Sequence, residues 1–180
     1  MKAAFFAALL MAAGGPALAA ADPATAAAQF YAVYAAQKQH SGIPDATARV
    51  RYAPVLSPRL NAQLAAAAGA EARRSARMKN AVPPMLEGDV FTSLFEGATS
   101  WKVGACTQNG AVARCPVAMA YTPGPQTGTK AKPARWNDTL LLAMGADGWK
   151  VDDIQFDAAF AFGNTGELSD MLALVIATNP

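Results

Sequence analysis

Residues 136–156 read Trp136-Asn137-Asp138-Thr139-Leu140-Leu141-Leu142-Ala143-Met144, then Gly145-Ala146-Asp147-Gly148, then Trp149-Lys150-Val151-Asp152-Asp153-Ile154-Gln155-Phe156. Two apolar-rich runs of strand length, joined by four residues with glycine at both ends, predict a β-hairpin. Whether its loop has two residues or four, Met144 faces Trp149, Leu142 faces Val151, Leu140 faces Asp153 and Asp138 faces Gln155. Because side chains alternate along a strand, Trp136, Asp138, Leu140, Leu142 and Met144 then share one face with Trp149, Val151, Asp153 and Gln155. The expected surface is apolar and carries two carboxylates, Asp138 and Asp153, set diagonally on adjacent strands.

A second hairpin precedes the first. Ser100 to Gln108 and Val112 to Thr122 flank Asn109-Gly110, a pair that favours a tight turn. A strict two-residue Asn-Gly loop would pair Cys106 with Ala113. A wider loop, from Asn109 to Val112, puts Gln108 opposite Ala113 and Cys106 opposite Cys115, and in an oxidising compartment that register predicts a disulfide. Pro116 cannot donate to a ladder, so its strand is expected at an edge or bulged there. Asp89 to Phe95 alternates loosely and reads as a further strand, and Pro123 to Pro133 reads as a solvated loop.

The flanks of this strand region are helical. Residues 23–39 place Ala27, Phe30, Tyr31 and Tyr34 at helical spacing, with Asp22 as N-cap and Gly42-Ile43-Pro44 as the stop. A short helix from Asp45 ends near Tyr52, before Pro54. Ser57-Pro58 opens another, with Leu60, Leu64, Ala67 and Ala68 as its stripe and a basic end of Arg73, Arg74, Arg77 and Lys79. Leu168, Met171, Leu172, Val175 and Ile176 make a last helix, capped by Thr165 or starting near Ser169. Helices, then antiparallel strands, then a helix is an α+β pattern: N-terminal helices packed on a curved antiparallel sheet of four to five strands, closed by a C-terminal helix.

Residues 1–19 carry Lys2, an apolar run from Ala3 to Gly15 and Ala17-Leu18-Ala19, the features of a cleavable secretory signal peptide. The run is shorter than the ~20 residues that span a bilayer, so a periplasmic or secreted protein without a membrane span is expected. About 160 residues then remain, enough for one domain, 20–180. Without Lys2, 14 basic residues stand against 13 acidic ones, a balance that does not suit nucleic-acid binding. Cys106 and Cys115, with His40 as the only histidine and far off in the chain, form no zinc set, and no metal or cofactor is expected. Glu87, Asp89 and Glu96 read as turn and edge caps rather than a cation site. His40 reads as a residue of the first helix's C-terminal end, with an imidazole base as the rarer alternative.

The order of elements resembles a known plan. So does the stretch Glu87-Gly88-Asp89-Val90-Phe91-Thr92-Ser93-Leu94-Phe95-Glu96-Gly97, together with Trp136-Asn137-Asp138-Thr139 and Trp149-Lys150-Val151-Asp152-Asp153-Ile154. They look like secreted bacterial families of unknown function that resemble the nuclear transport factor 2-like, or cystatin-like, superfamily. The likeness covers most of residues 23–176, with the early helix pair and the C-terminal helix as departures. It implies a single α+β domain with a cone between sheet and helices. In such a cone Asp138 and Asp153 would be the catalytic candidates, and Tyr31, Tyr34, Trp136, Trp149 and Gln155 the ligand-binding walls. A carboxylate held against tryptophan in an apolar pocket can serve as general base or acid. The superfamily holds isomerases, dehydratases and non-catalytic modules alike. The leading expectation is a non-catalytic module that binds a small apolar ligand or an envelope protein, with a homodimer allowed. The alternatives are an isomerase- or dehydratase-type enzyme with an aspartate base, and an envelope inhibitor or immunity protein.

Overall fold

A computed structural model describes residues 22–37, 41–124 and 133–179. The expected leader at 1–19, His40 and the centre of the Pro123–Pro133 loop lie outside the described residues. The elements run α1 (Pro23–Ala35), α2 (Ala46–Tyr52), α3 (Pro58–Arg77), β1 (Ser100–Val103), β2 (Thr107–Asn109), β3 (Val112–Tyr121), β4 (Ala134–Gly145), β5 (Gly148–Phe156), β6 (Gly166–Glu167) and α4 (Leu168–Thr178). Together they make an α+β fold with one antiparallel sheet, ordered β1-β3-β4-β5-β6, and β2 also pairs with β3. The described sheet has six strands where four to five were expected, because β2 and β6 are three- and two-residue pieces.

The first three helices begin where the capping chemistry places them, whereas α4 starts at Leu168, near Ser169 as expected, with Glu167 and not Thr165 at its N-cap. The Asp22 carboxylate accepts from Thr25 N (3.0 Å) ahead of Pro23, and Asp45 does the same for Ala48 N (2.8 Å). Ser57 Oγ accepts from Leu60 N (3.0 Å) ahead of Pro58. Buried faces follow the predicted stripes: Phe30, Tyr31 and Tyr34 on α1, Leu60, Leu64 and Ala67 on α3, Leu168, Leu172 and Val175 on α4. They cover the inner face of the sheet, where Val117, Met119, Leu140, Leu142 and Val151 alternate with exposed or half-buried outward residues.

In the cysteine hairpin, Asn109 pairs with Val112, Gln108 with Ala113 and Thr107 with Arg114, which brings Cys106 opposite Cys115, and the two form a disulfide. Pro116 marks the interruption between β1 and β2. The ladder passes from Val103↔Val117 to Thr107↔Arg114, so one extra residue bulges out on that side, opposite the proline that lacks a donor. Residues 89–95, expected as a strand, form turns instead. Asp89 Oδ1 takes Phe91 N (2.7 Å), Thr92 Oγ1 donates to Leu94 O (2.9 Å) and Asp89 N closes the loop on Phe95 O (2.9 Å). Short polar side chains here claim backbone groups that a ladder would need.

The predicted register of the β4–β5 hairpin holds near its turn and fails beyond it. Met144 faces Trp149 and Leu142 faces Val151, but Leu141 faces Asp153, Leu140 faces Ile154 and Thr139 faces Gln155. Asp152 is the extra residue of a β-bulge, so every later side chain of β5 changes face relative to the expectation. Asp138 therefore does not face Gln155, which turns outward to accept from Arg114 and to donate to Asp157 Oδ1 (2.6 Å). The bulge has an evident partner. Ser57 Oγ donates to Asp152 Oδ1 (2.5 Å), Arg59 Nη2 lies 2.9 Å from its Oδ2, and Val55 and Ser57 bond the backbone of Val151.

Candidate functional site

Among the described residues three carboxylates are buried, Asp89, Asp138 and Asp153, and the geometry gives each a different task. Asp138 is 0% exposed. It accepts from Ser93 N (2.8 Å), Ser93 Oγ, Trp136 Nε1 (3.0 Å) and Asp157 N (3.2 Å). Desolvation raises its pKa, opposed by these donors, which favour the ionised form. Four donors occupy the lone pairs of a carboxylate. The group thus ties the 89–95 turns to β4 and the segment after β5, with Trp136 as a strut.

Asp153 is brought elsewhere. Its Oδ1 accepts from Ile154 N (2.9 Å) and from Ser169 N (3.0 Å), and its Oδ2 lies 3.3 Å from Arg59 Nη2. The residue before α4, Glu167, makes no side-chain cap, so Asp153 supplies from β5 the acceptor that the first turn of α4 requires. Burial alone would raise the neighbouring Asp152, but hydrogen bonds from Arg59 and Ser57 outweigh it and hold it below the ordinary value.

The third carboxylate, Asp89, was read in the sequence only as a turn cap. It caps a turn and is also buried, with Tyr34 Oη donating to its Oδ2 (2.5 Å) while Tyr34 Oη accepts from Ala98 N (3.0 Å). Desolvation pushes its pKa up to about 6 against the Tyr34 and Phe91 donors, and the charge of Asp138 adds to the rise. Tyr31, stacked on Trp101 with ring centroids 5.3 Å apart, feels both Asp138 and Asp89, and burial and those charges raise its pKa. The structure thus brings Tyr31, Tyr34, Trp136 and Asp138 around one buried polar cluster. It adds Asp89, Ser93 and Tyr52 to them and leaves Asp153 and Gln155 outside. Trp149 is buried near Met144 at the hairpin end. The signal for Asp89 and Ser93 was the sequence Asp89-Val90-Phe91-Thr92-Ser93 itself, whose polar residues are spaced for turns.

Beside this cluster opens a cavity of about 670 Å³ between the end of α1, the start of α2 and the 89–91 turn. Its wall mixes Ile43 and Phe91 with Gln37, Ser41, Arg51 and Tyr52. Tyr52 is 1% exposed, packs on Phe91 (4.8 Å between centroids), and its hydroxyl has no hydrogen-bond partner among the described residues. A buried hydroxyl left unpaired is unfavourable by roughly 1–3 kcal/mol. Among the described residues no group of three His, Cys, Asp or Glu side chains is placed to hold a metal ion, and no helix is long and apolar enough to cross a membrane. No protein-family model matches the chain, and no curated protein matches it.

Proposed function

We infer that the protein is an exported, non-catalytic binding module of the bacterial envelope, on a nuclear transport factor 2-like plan, that takes a small amphiphilic molecule in the cavity beside α2. The observation that carries this reading is the Tyr52 wall: a cavity of ligand size flanked by a buried hydroxyl without a partner among the described residues. Ile43 and Phe91 would cover an apolar body, and Arg51 and Gln37, joined Nη1 to Oε1 at 3.4 Å, would meet a polar or anionic end. The aspartate-base alternative has less support, because Asp138 has four protein donors and Asp153 is engaged by Ser169 and Arg59. The N-terminal leader supports export.

Titration with octanoate and indole-3-acetate, and with their neutral alcohols, followed by NMR and by thermal unfolding, tests the site. Shifts at Gln37, Ile43, Arg51, Tyr52 and Phe91 with a raised unfolding midpoint are expected, and Arg51→Ala should weaken the acids more than the alcohols. Binding of neither series, together with turnover of a simple substrate that Asp138→Asn abolishes, would favour the enzyme instead. Amino-terminal sequencing of periplasmic material should begin at residue 20.

A further inference from the structure

On the far side of the 89–97 turns a second concave surface runs across two adjoining hollows of about 540 and 420 Å³. Phe95, Phe162 and Glu87 line both hollows, Phe160 and Leu94 line the first, and Met85 lines the second. Phe162 is 87% exposed and Phe95 41%. Aromatic side chains that contribute this little to the core, grouped in one groove, mark an interaction surface.

The floor of the groove is built firmly. Asn164 Nδ2 donates to Asp89 O (2.6 Å) and Thr92 O (2.7 Å), and Asn164 N donates to Ser93 O (3.0 Å). A Cβ at Gly163 would fall 2.2 Å from Ser93 O, and one at Gly88 would fall 2.5 Å from the Phe95 ring, so only glycine permits these two approaches. The loop bearing Phe160 and Phe162 is thereby clamped onto the turns bearing Phe95, and little ordering remains for a partner to impose.

Charge selects the occupant. Glu87 and Glu96 are exposed and line the groove. Among the described residues neither carboxylate has an ion-pair or hydrogen-bond partner. No basic residue lines either hollow. A second copy docking the same patch onto itself would bring these carboxylates together, which is unfavourable. We propose that the groove docks a peptide segment of another protein in which an aromatic or leucine side chain is flanked by lysine or arginine. The segment's apolar side chain enters between Phe95 and Phe162, and its cations meet Glu87 and Glu96.

The test is an NMR titration of the purified protein with acetyl-Lys-Leu-Phe-Leu-Lys-amide and with the same peptide bearing glutamates at both ends. Shifts at Phe95, Phe162, Glu87 and Glu96 with the lysine peptide alone are expected, and they should weaken from about 20 mM to about 500 mM salt. Glu87→Gln and Glu96→Gln should each weaken binding by roughly threefold at low salt, and Phe162→Ala by about tenfold. Phe162 is exposed, so that variant should keep its unfolding midpoint, which serves as the folding control. Equal binding of the glutamate peptide, or shifts that lie outside the groove, would overturn the proposal. So would a concentration-dependent dimer in sedimentation that Phe162→Asp abolishes, because the occupant would then be a second copy.

Discussion

Asp89 and Asp138 are carboxylates placed where water barely reaches, and their titration is written into the stability of the fold. Unfolded, Asp89 returns to its ordinary value of 3.8, and folded it titrates at about 6. Between those pH values the folded chain holds a proton that the unfolded chain has released, so stability falls as pH rises through this window, by about 3 kcal/mol from Asp89. Asp138, also raised, acts in the same direction, while Asp152, lowered, adds stability only as pH climbs through the range below 3.8. Urea unfolding should therefore show a higher midpoint at pH 4.5 than at pH 7, and Asp89→Asn should flatten the difference; an unchanged midpoint in the parent protein would mean that Asp89 is not shifted. Asp138→Asn turns an amide N–H toward groups that themselves donate, and should lower stability by roughly 3 kcal/mol at neutral pH. Asp138 could be singled out in the sequence because it sits between apolar positions of a strand. Asp89 could be read as a turn cap but not as a buried group, because its burial depends on Tyr34, 55 residues earlier, and no local pattern carries that distance.

At the level of elements, alternation and turn chemistry were legible and the bulge was not. The cysteine register followed from the wider Asn109–Val112 loop, preferred over a strict Asn-Gly turn because it lets Cys106 and Cys115 pair, and the first three helix starts followed from Asp22, Asp45 and Ser57. Asp152 enters the opposite way: its extra place in β5 answers to Ser57, the N-cap of α3, and to Arg59 in its first turn, which a reading of the hairpin alone does not contain. Two substitutions test these joints. Cys106→Ser with Cys115→Ser opens a short loop and should lower stability by about 2–3 kcal/mol in the chain-entropy account, read as a fall in the urea midpoint without loss of the far-ultraviolet signal. Asp153→Ala removes the acceptor for Ser169 N and should weaken the start of α4 by about 1–2 kcal/mol, with faster hydrogen exchange at Ser169, Asp170 and Met171; unchanged exchange there would show that α4 does not depend on Asp153.

Across the whole molecule, the α+β class was readable because it rests on the order of periodicities, whereas the interior arrangement was not, because it rests on contacts made far along the chain. A ligand in the cavity should couple to the entire domain: occupancy at one hundred times its dissociation constant adds about 2.7 kcal/mol to unfolding, and Tyr52→Phe, which removes the unpaired hydroxyl, should stabilise the empty protein while weakening that gain. The contact of α3 with the chain's end carries a different kind of consequence. Arg73 Nη2 donates to Asn179 O across 106 residues, and Asn179 Nδ2 donates to Val175 O (2.9 Å). α1 buries Phe30 and Tyr31 in a core completed by β5. Time therefore enters the architecture. Among the described residues α1 packs on α2 and also on the later β5, and α3 packs on the still later α4, so the core is complete only when β5 and α4 have joined it. Stopping the chain short of α4 should leave a protease-sensitive product even though every strand of the described sheet is present.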